Sequence, residues 1–544
     1  MKTPSDISNV VCPYLDTIDR TSLDFDMERV CSVSLDNNHV YGCLVCGKFF
    51  QGRGVNSPCH THSVQHGHYV FINLDTRKIY CVPDNYEVKD KSLEDIKAYL
   101  SPRFSAEDIA GIDASTRFST DVHGGTFRPG FVGLNNLGNT DNINAVIQGL
   151  AHVPVFRDFF LRFAQERGVG GIPSVQKSLI IAVSECVRKV WSPINFKGVI
   201  SPQILIKVLG EASNSKFGSS VSQVTASSGG TSIDFLRFLL SYIHSAFLNP
   251  KLGIGDENTL NTKTTVVSKC FQGVVEITES SSGNGESTTQ KKKVPFNYLS
   301  LDIPPTPLFR ESEGGRVVPN VPIHQLLEKF NGRKQVEHFT PSSRISRTFR
   351  LQRLPQYIIL NCDRKETQNF SKKGRNCTVI TFPITNLEFC SVCGVHEDHF
   401  SCPATMDLSS LGEEQTRTLT EKYAPLVPAS KSLYDSNSYS EALQRIAEAC
   451  VVKKYDLVAN ICQSSSAASS ADSEVEVASS TVGGAGSDRK RGGSSALQNK
   501  SKVHVQNLST SQWYEVEDLE VREIETRAIG VCETDVLIYR TAQV

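Results

Sequence analysis

Gly133-Leu-Asn-Asn-Leu-Gly-Asn-Thr-Asp141-Asn-Ile-Asn-Ala-Val-Ile-Gln-Gly-Leu150 is the stretch that decides how the rest of the chain reads. It opens in turn residues and becomes periodic after Thr140. Ile143, Val146, Ile147 and Leu150 recur at helical spacing, which predicts a buried helix starting near Asp141. A helix N-terminus carries free N–H donors and a partial positive charge. That position suits a thiolate nucleophile, whose pKa the helix end lowers. The residue found there is Asp. An acid in a first helical turn is stabilising, which gives Asp141 a structural reading with no chemistry attached.

The stretch resembles the cysteine box of ubiquitin-specific proteases, Gly-Leu-x-Asn-Leu-Gly-Asn-Thr-Cys followed by a helix. Asp141 stands where that family has its nucleophilic Cys, and Asn136 where it has its oxyanion-stabilising residue. Further boxes match: Phe271-Gln-Gly, Leu351-Gln-Arg-Leu-Pro-Gln-Tyr-Ile-Ile-Leu360, Phe382-Pro-Ile-Thr-Asn, and Trp513-Tyr-Glu-Val-Glu-Asp, where the family has Trp-x-x-Phe-Asp-Asp. Counting back from Trp513, Asn499-Lys500-Ser501 takes the place of Gly-His-Tyr. Lys500 then replaces the general-base His, and Glu517 falls where the triad's Asp would orient it. The resemblance implies a papain-like α+β fold with a helical thumb and a β palm and fingers. The order of helices followed by strands on one core agrees with α+β. Helices are expected from Ser174 to Trp191, after Ser201-Pro202 with Gly210 as a stop, and from Ser232 to Phe247.

Isopeptide cleavage on this plan needs a thiolate, a neutral imidazole and an acid to orient the imidazole. A carboxylate attacking an amide would make a mixed anhydride, a far worse intermediate than a thioester. Lys is protonated at neutral pH unless strongly desolvated. Two of the three roles are therefore chemically wrong, and Lys500 reads most simply as a solvated loop residue.

Nearer the N-terminus, Cys43-Leu-Val-Cys46-Gly supplies two tetrahedral ligands from one tight turn, with His60, His62, His66 and His68 close behind. The segment resembles the zinc finger that precedes many ubiquitin-specific proteases, along Cys12-Pro-Tyr-Leu-Asp, Leu23-Asp-Phe-Asp and Val70-Phe-Ile-Asn-Leu. Carried over, the pattern gives Cys43, Cys46, His62 and His68 as ligands of one zinc. Cys59, His60 and His66 are competing donors. Cys12, Cys31 and Cys81 read as buried thiols. The expected organisation is a finger at 8–101, a linker at 102–129 and a protease-like domain at 130–544. Ser92 is expected to cap a helix ending at Leu100.

With 544 residues, 16 Cys and a formal net charge of -1, the chain has no global basic footprint for nucleic acid. The first residues lack the apolar core of a signal peptide, and runs such as Leu179-Ile-Ile-Ala-Val183 fall far short of the roughly 20 residues a bilayer crossing needs. An intracellular protein with reduced thiols and no membrane partner is expected, in which clustered Cys means metal before disulfide. Such a cluster recurs at Cys390-Ser-Val-Cys393 with His396, His399 and Cys402 following. Cys390, Cys393, His396 and Cys402 form a candidate second zinc site, outside the family's usual place. Family members often carry two Cys-x-x-Cys pairs in the fingers; here the corresponding 280–293 has no Cys. The Ser-, Ala- and Gly-rich segment 464–496 reads as a disordered insertion. Within it Arg489-Lys-Arg offers at most a weak RNA contact or an import signal.

The resemblance is closest to one branch of the family, the ubiquitin-specific-protease-like splicing factors of the spliceosomal tri-snRNP. That branch implies a nuclear, non-catalytic scaffold for pre-mRNA splicing with tri-snRNP proteins as partners. Two alternatives stay open: an active deubiquitinase using another Cys, and a ubiquitin reader without catalysis.

Overall fold

The computed structural model describes residues 12–82, 84–166, 175–214, 231–252, 257–283, 286–305, 319–340, 343–364, 376–390, 394–395, 402–404, 408–424, 439–464 and 500–542. The insertion 464–496, with Arg489, lies outside them beyond Ser464. The chain divides into two compact units, one built from residues up to 231 with 241–256 and 507–523, the other from 232–240, 257–506 and 524–544.

The first unit begins with a five-stranded antiparallel sheet: β1 (Val40–Cys43), β2 (Phe49–Gln51), β3 (Val70–Asn73), β4 (Ile79–Cys81) and β5 (Tyr86–Val88), in the order β2-β1-β3-β4-β5. Helix α1 (Pro58–His66) starts at Ser57, whose side chain accepts from the His60 N–H. Strand alternation splits β3 between two cores. Val70 and Ile72 join Leu23, Phe25, Leu74 and Ile96, while Phe71 joins Tyr41, Phe50, Cys59 and Val82. Cys12, Cys31 and Cys81 are buried. Helix α2 (Glu94–Leu100) follows a short 3-10 turn, and the cap there is Asp90, which accepts from the Ser92 N–H. The expected Ser92 cap is two residues too late, and Asp95 binds Arg20 at 2.6 Å.

Residues 102–129, expected as a linker, carry α3 (Ala106–Gly111), closed by a Ser105–Asp108 capping box, and the short ladder of β6 (Ser119–Thr120) with β7 (Thr126–Phe127). They bury Phe104, Ile109 and Phe127. Then come β8 (Gly133–Leu134), α4 (Asp141–Ala151), α5 (Pro154–Glu166), α6 (Val175–Trp191), β9 (Val199–Ile200) and α7 (Gln203–Ala212). α6 buries the predicted stripe Leu179, Val183, Val187 and Val190. α7 runs through Gly210 rather than stopping there, and Gly210 is itself buried.

The finger sheet and these helices are one body. Phe196 lies in the finger's core and stacks on Tyr99 at 4.4 Å. Three acids on the finger at every second position, Asp24, Asp26 and Glu28, pair with Lys197, Lys189 and Lys207. The central pair, Asp26 with Lys189 at 2.5 Å, is 5% and 14% exposed. Asp26 also accepts from the Ser201 N–H at 2.8 Å. Buried Arg157 forks onto Asp113 at 2.6 and 3.1 Å.

Helix α8 (Ser232–Phe247) gives Ser232–Leu240 to the second unit, which continues with α9 (Glu257–Thr262) and α10 (Val266–Phe271). Phe271 thus ends a helix, and the strand expected at Phe271-Gln-Gly begins only at Gly273. β10 (Gly273–Gly283) and β11 (Glu286–Phe296) form a long hairpin, followed by β12 (Leu299–Asp302), β13 (Asn320–Pro322), α11 (Ile323–Leu327), β14 (Val336–Thr340), β15 (Ser343–Arg353), β16 (Tyr357–Asp363) and β17 (Val379–Thr381). One antiparallel sheet runs β11-β10-β15-β14. Next are β18 (Leu387–Cys390), β19 (Gly394–Val395), α12 (Glu413–Tyr423), α13 (Tyr439–Ala449), β20 (Val452–Gln463) and β21 (Ser501–Gln506). β22 (Trp513–Glu517) and β23 (Glu520–Ile524) return to the first unit, before α14 (Thr526–Ile529) and β24 (Glu533–Thr541) close the second. Its main sheet runs β12-β16-β24-β20-β21, parallel between β12 and β16 and antiparallel otherwise, with β18 also on β20. Leu360, Leu457, Val503, Leu537 and Ile538 are buried in it. The fold is α+β, a finger module with helices and large sheets. Among the described residues no helix is long and apolar enough to cross a membrane.

Candidate functional site

Four donors converge in the finger. Cys43 ends β1, Cys46 sits in the turn before β2, His62 lies on α1, and His68 follows Gly67, which caps α1 in the left-handed region at φ 67°. Their donor atoms lie within 4.8 Å of one another. The edges are 3.6 Å from Cys43 Sγ to His68 Nδ1, 3.5 Å from Cys46 Sγ to His62 Nε2, and 3.1 Å between the two rings. A tetrahedral zinc with bonds of about 2.3 Å to sulfur and about 2.0 Å to nitrogen has S–N edges of about 3.5 Å and N–N edges of about 3.3 Å. The donor set fits the ion. A hydrogen bond from Cys43 holds the Cys46 thiol low, at about 4, and a metal ligand must be deprotonated. Phe50 stacks on His62 at 4.1 Å and fixes its ring. Gly47, at φ 71°, is forced, because a Cβ there would strike the Ser22 carbonyl. Cys59 is outside this group, in the apolar cluster, where burial pushes its thiol up to about 12.

The second region lies around α4. Asp141 is its first residue, half-buried, directly after a turn with Gly138 at φ 91° and Asn139 at φ 56°. Asn136 Oδ1 accepts from the Thr140 N–H at 3.0 Å, and Thr140 Oγ1 accepts from the Leu137 N–H at 3.0 Å, so the turn is closed by its own side chains. The Asn136 amide donates to Asp518 Oδ2 at 3.0 Å, and the Asn144 amide donates to Asp518 Oδ1 at 3.2 Å. Gln148 donates to the Val132 carbonyl at 2.6 Å. Leu134 N–H donates to the Asp518 carbonyl at 2.8 Å, and a Cβ on Gly133 would stand 2.5 Å from the Leu519 carbonyl oxygen. Asp518, which sequence reasoning passed over in favour of Glu517, is thus the residue that ties box and helix together. It stands at φ 50°, in the turn after β22. Glu517 is half-buried at the end of β22, and Lys500 is exposed, immediately before β21. Ser464 holds the Lys500 backbone at both its N–H and its carbonyl.

Outside these regions the structure does place thiols beside an imidazole. Cys462 and Cys532 each approach His504 Nε2 at 4.0 Å, and His504 Nδ1 lies 3.2 Å from the Asn460 amide. A hydrogen bond from Cys462 lowers Cys532 to about 4, while burial raises Cys462. His504 and Cys462 are both 0% exposed. An imidazole with no surface cannot serve an incoming peptide bond, so this cluster does not rebuild a hydrolase. Of the second sequence-predicted zinc set, Cys390 and Cys402 come together, whereas Cys393 and His396 lie outside the described residues. The third member of that group is Cys450. No local spacing could have found it, since it follows Cys402 by 48 residues.

Comparison with known proteins places these features. The family described as "Ubiquitin carboxyl-terminal hydrolase" matches residues 132–539, and "Zn-finger in ubiquitin-hydrolases and other protein" matches 31–93. Human "Ubiquitin carboxyl-terminal hydrolase 39" is 39% identical over 392 residues, 69% of this chain and 66% of its own length. The chain therefore spans just under two thirds of that relative. "Probable mRNA-splicing protein ubp10" of Schizosaccharomyces pombe is 30% identical over 97% of this chain and 88% of its own. Among solved structures, that of an essential yeast splicing factor superposes with a TM-score of 0.64 at 22% identity, covering 97% of this chain and all of that one.

Proposed function

This chain belongs to the ubiquitin carboxyl-terminal hydrolase family, and we propose that it acts within it without catalysis, as a nuclear scaffold of pre-mRNA splicing that supports tri-snRNP assembly and spliceosome maturation. Asp141 at the head of α4 carries this reading, because a carboxylate stands where the family's chemistry needs a thiolate. Lys500 in the place of the base and Glu517 in the place of the orienting acid support it. The probable mRNA-splicing protein of Schizosaccharomyces pombe, similar along almost the whole chain, supports the role as well.

One structural zinc belongs to the finger, held by Cys43, Cys46, His62 and His68. With four protein ligands the ion has no open position for water, so it cross-links β1, the following turn and α1 and does no further chemistry. Tri-snRNP proteins are the partners on this reading, any RNA contact is weak or indirect, and no membrane is involved.

Affinity purification of the full chain from nuclear extract, read by mass spectrometry, tests the role. Tri-snRNP proteins should dominate the co-purifying set, and their absence would overturn it. Labelling of any Cys by an electrophilic ubiquitin probe would overturn the non-catalytic part.

A further inference from the structure

The sulfurs of Cys390, Cys402 and Cys450 lie within 4.8 Å of one another. We propose that they hold a second structural zinc, outside the finger, which organises the segment between β18 and β20. Two independent observations lead there. The first is the turn. β18 ends on Cys390, which pairs with Gly394 at the start of β19, and Phe389 pairs with Val395. In the finger β1 ends on Cys43, and Gly42 and Tyr41 pair with Phe49 and Phe50 across the turn. Both turns spell Cys-x-x-Cys-Gly between two antiparallel strands. The finger's zinc-binding sequence thus recurs on the other unit between paired strands, with the register shifted by one residue, since Gly394 lies opposite Cys390 whereas Gly47 lies in the turn.

The second is convergence from a distance. β18 pairs with β20 so that Cys390 faces Val452, which carries Cys450, two residues earlier, to the same end. Cys402 joins them from the intervening chain. The local core is thin. Tyr423 and Ile446 are its fully buried members, with Leu419, Ala424 and Val452 only part-buried. Helix α12 buries Thr416, Thr420 and Tyr423, two of the three polar. Modules with so little apolar surface are held by a cross-link, and thiolates at this density suit zinc. A tetrahedral zinc would draw the sulfurs to edges of about 3.8 Å, a side-chain adjustment. Each thiol gives its proton to solvent on binding.

The cluster of Cys462, His504 and Cys532 is the weaker candidate, because the Asn460 amide donates to His504 Nδ1 and so leaves the ring proton on Nε2, the nitrogen that faces both sulfurs.

Metal analysis of the full chain, purified under reducing conditions without chelators, decides the matter. Two zinc ions per chain are expected, falling to one in Cys43→Ser/Cys46→Ser and to one in Cys390→Ser/Cys402→Ser/Cys450→Ser, and staying at two in Cys462→Ser/Cys532→Ser. Because the triple variant can misfold, cobalt(II) is also loaded into Cys43→Ser/Cys46→Ser. Its thiolate charge-transfer absorption should persist there and fall by about a third when Cys450→Ser alone is added. A single zinc in the unaltered chain overturns the proposal. So does loss of the second ion from Cys462→Ser/Cys532→Ser, or an intact-mass deficit of two hydrogens locating a disulfide among Cys390, Cys402 and Cys450.

Discussion

Around Cys43, Cys46, His62 and His68 the atoms that bind are also the atoms that hold the local fold. Around α4 the reverse is true. There Asn136, Asn144, Gln148 and Asp518 close the turn and fasten the helix, and none of them needs a nucleophile next door. A site whose structure depends on its chemistry must keep both or lose both. A site whose packing is independent keeps its shape whatever side chain stands at position 141.

The contrast can be broken most directly in the finger. Cys46→Ser or His62→Ala should release the metal and the binding free energy behind it, on the order of 10 kcal/mol, and expose the core of β1 to β5. Zinc content and amide exchange measure this, and a finger that stays protected without metal would erase the difference. Next in size is an acid effect at the far end of α4. His152 is fully buried between Phe131 and Trp191, and desolvation lowers its ring to about 4 from an ordinary 6.5. It is neutral when folded and gains a proton on unfolding. Its effect on stability is therefore nil above about pH 6.5 and grows as pH falls towards 4, at about 1.4 kcal/mol per pH unit. Denaturant titrations at several pH values should show this slope, and His152→Met should flatten it. Gly133→Ala sharpens the packing half of the argument. Its new methyl meets the Leu519 backbone, and a loss of about 1–3 kcal/mol is expected in chemical unfolding. The smallest effect belongs to the first residue of α4. Asp141→Ala should cost under about 1 kcal/mol, the value of an acid at a helix N-terminus, and leave splicing support in depleted extract unchanged. A loss of splicing with the fold intact would show that the carboxylate itself is used.

What was legible beforehand was what local spacing encodes. The helix at Asp141 and the α6 stripe repeat over distances of a few residues, while the choice of His62 and His68 over His60 and His66 came from the family resemblance. The misses share a cause as well. Asp90 rather than Ser92 caps because a 3-10 turn precedes α2, and Gly210 lies inside α7 because tertiary burial outweighs its weak propensity. Phe271 belongs to a helix because Thr265 and Ser268 form a capping box that the β-like texture concealed. Asp518 was overlooked because the family's triad drew attention one residue earlier. Cys450 and the acids 24, 26 and 28 find their partners only after the chain has folded.

Those three acids have a mechanical consequence. Swinging the small module away would break the Asp26–Lys189 pair and the Ser201 N–H bond to Asp26 and would expose the apolar core that Phe196 shares with Tyr99, so the module cannot move on the larger one without a heavy penalty. Anything that grips the finger therefore has a rigid handle on α4 to α7, and position can be transmitted from one end of that lever to the other.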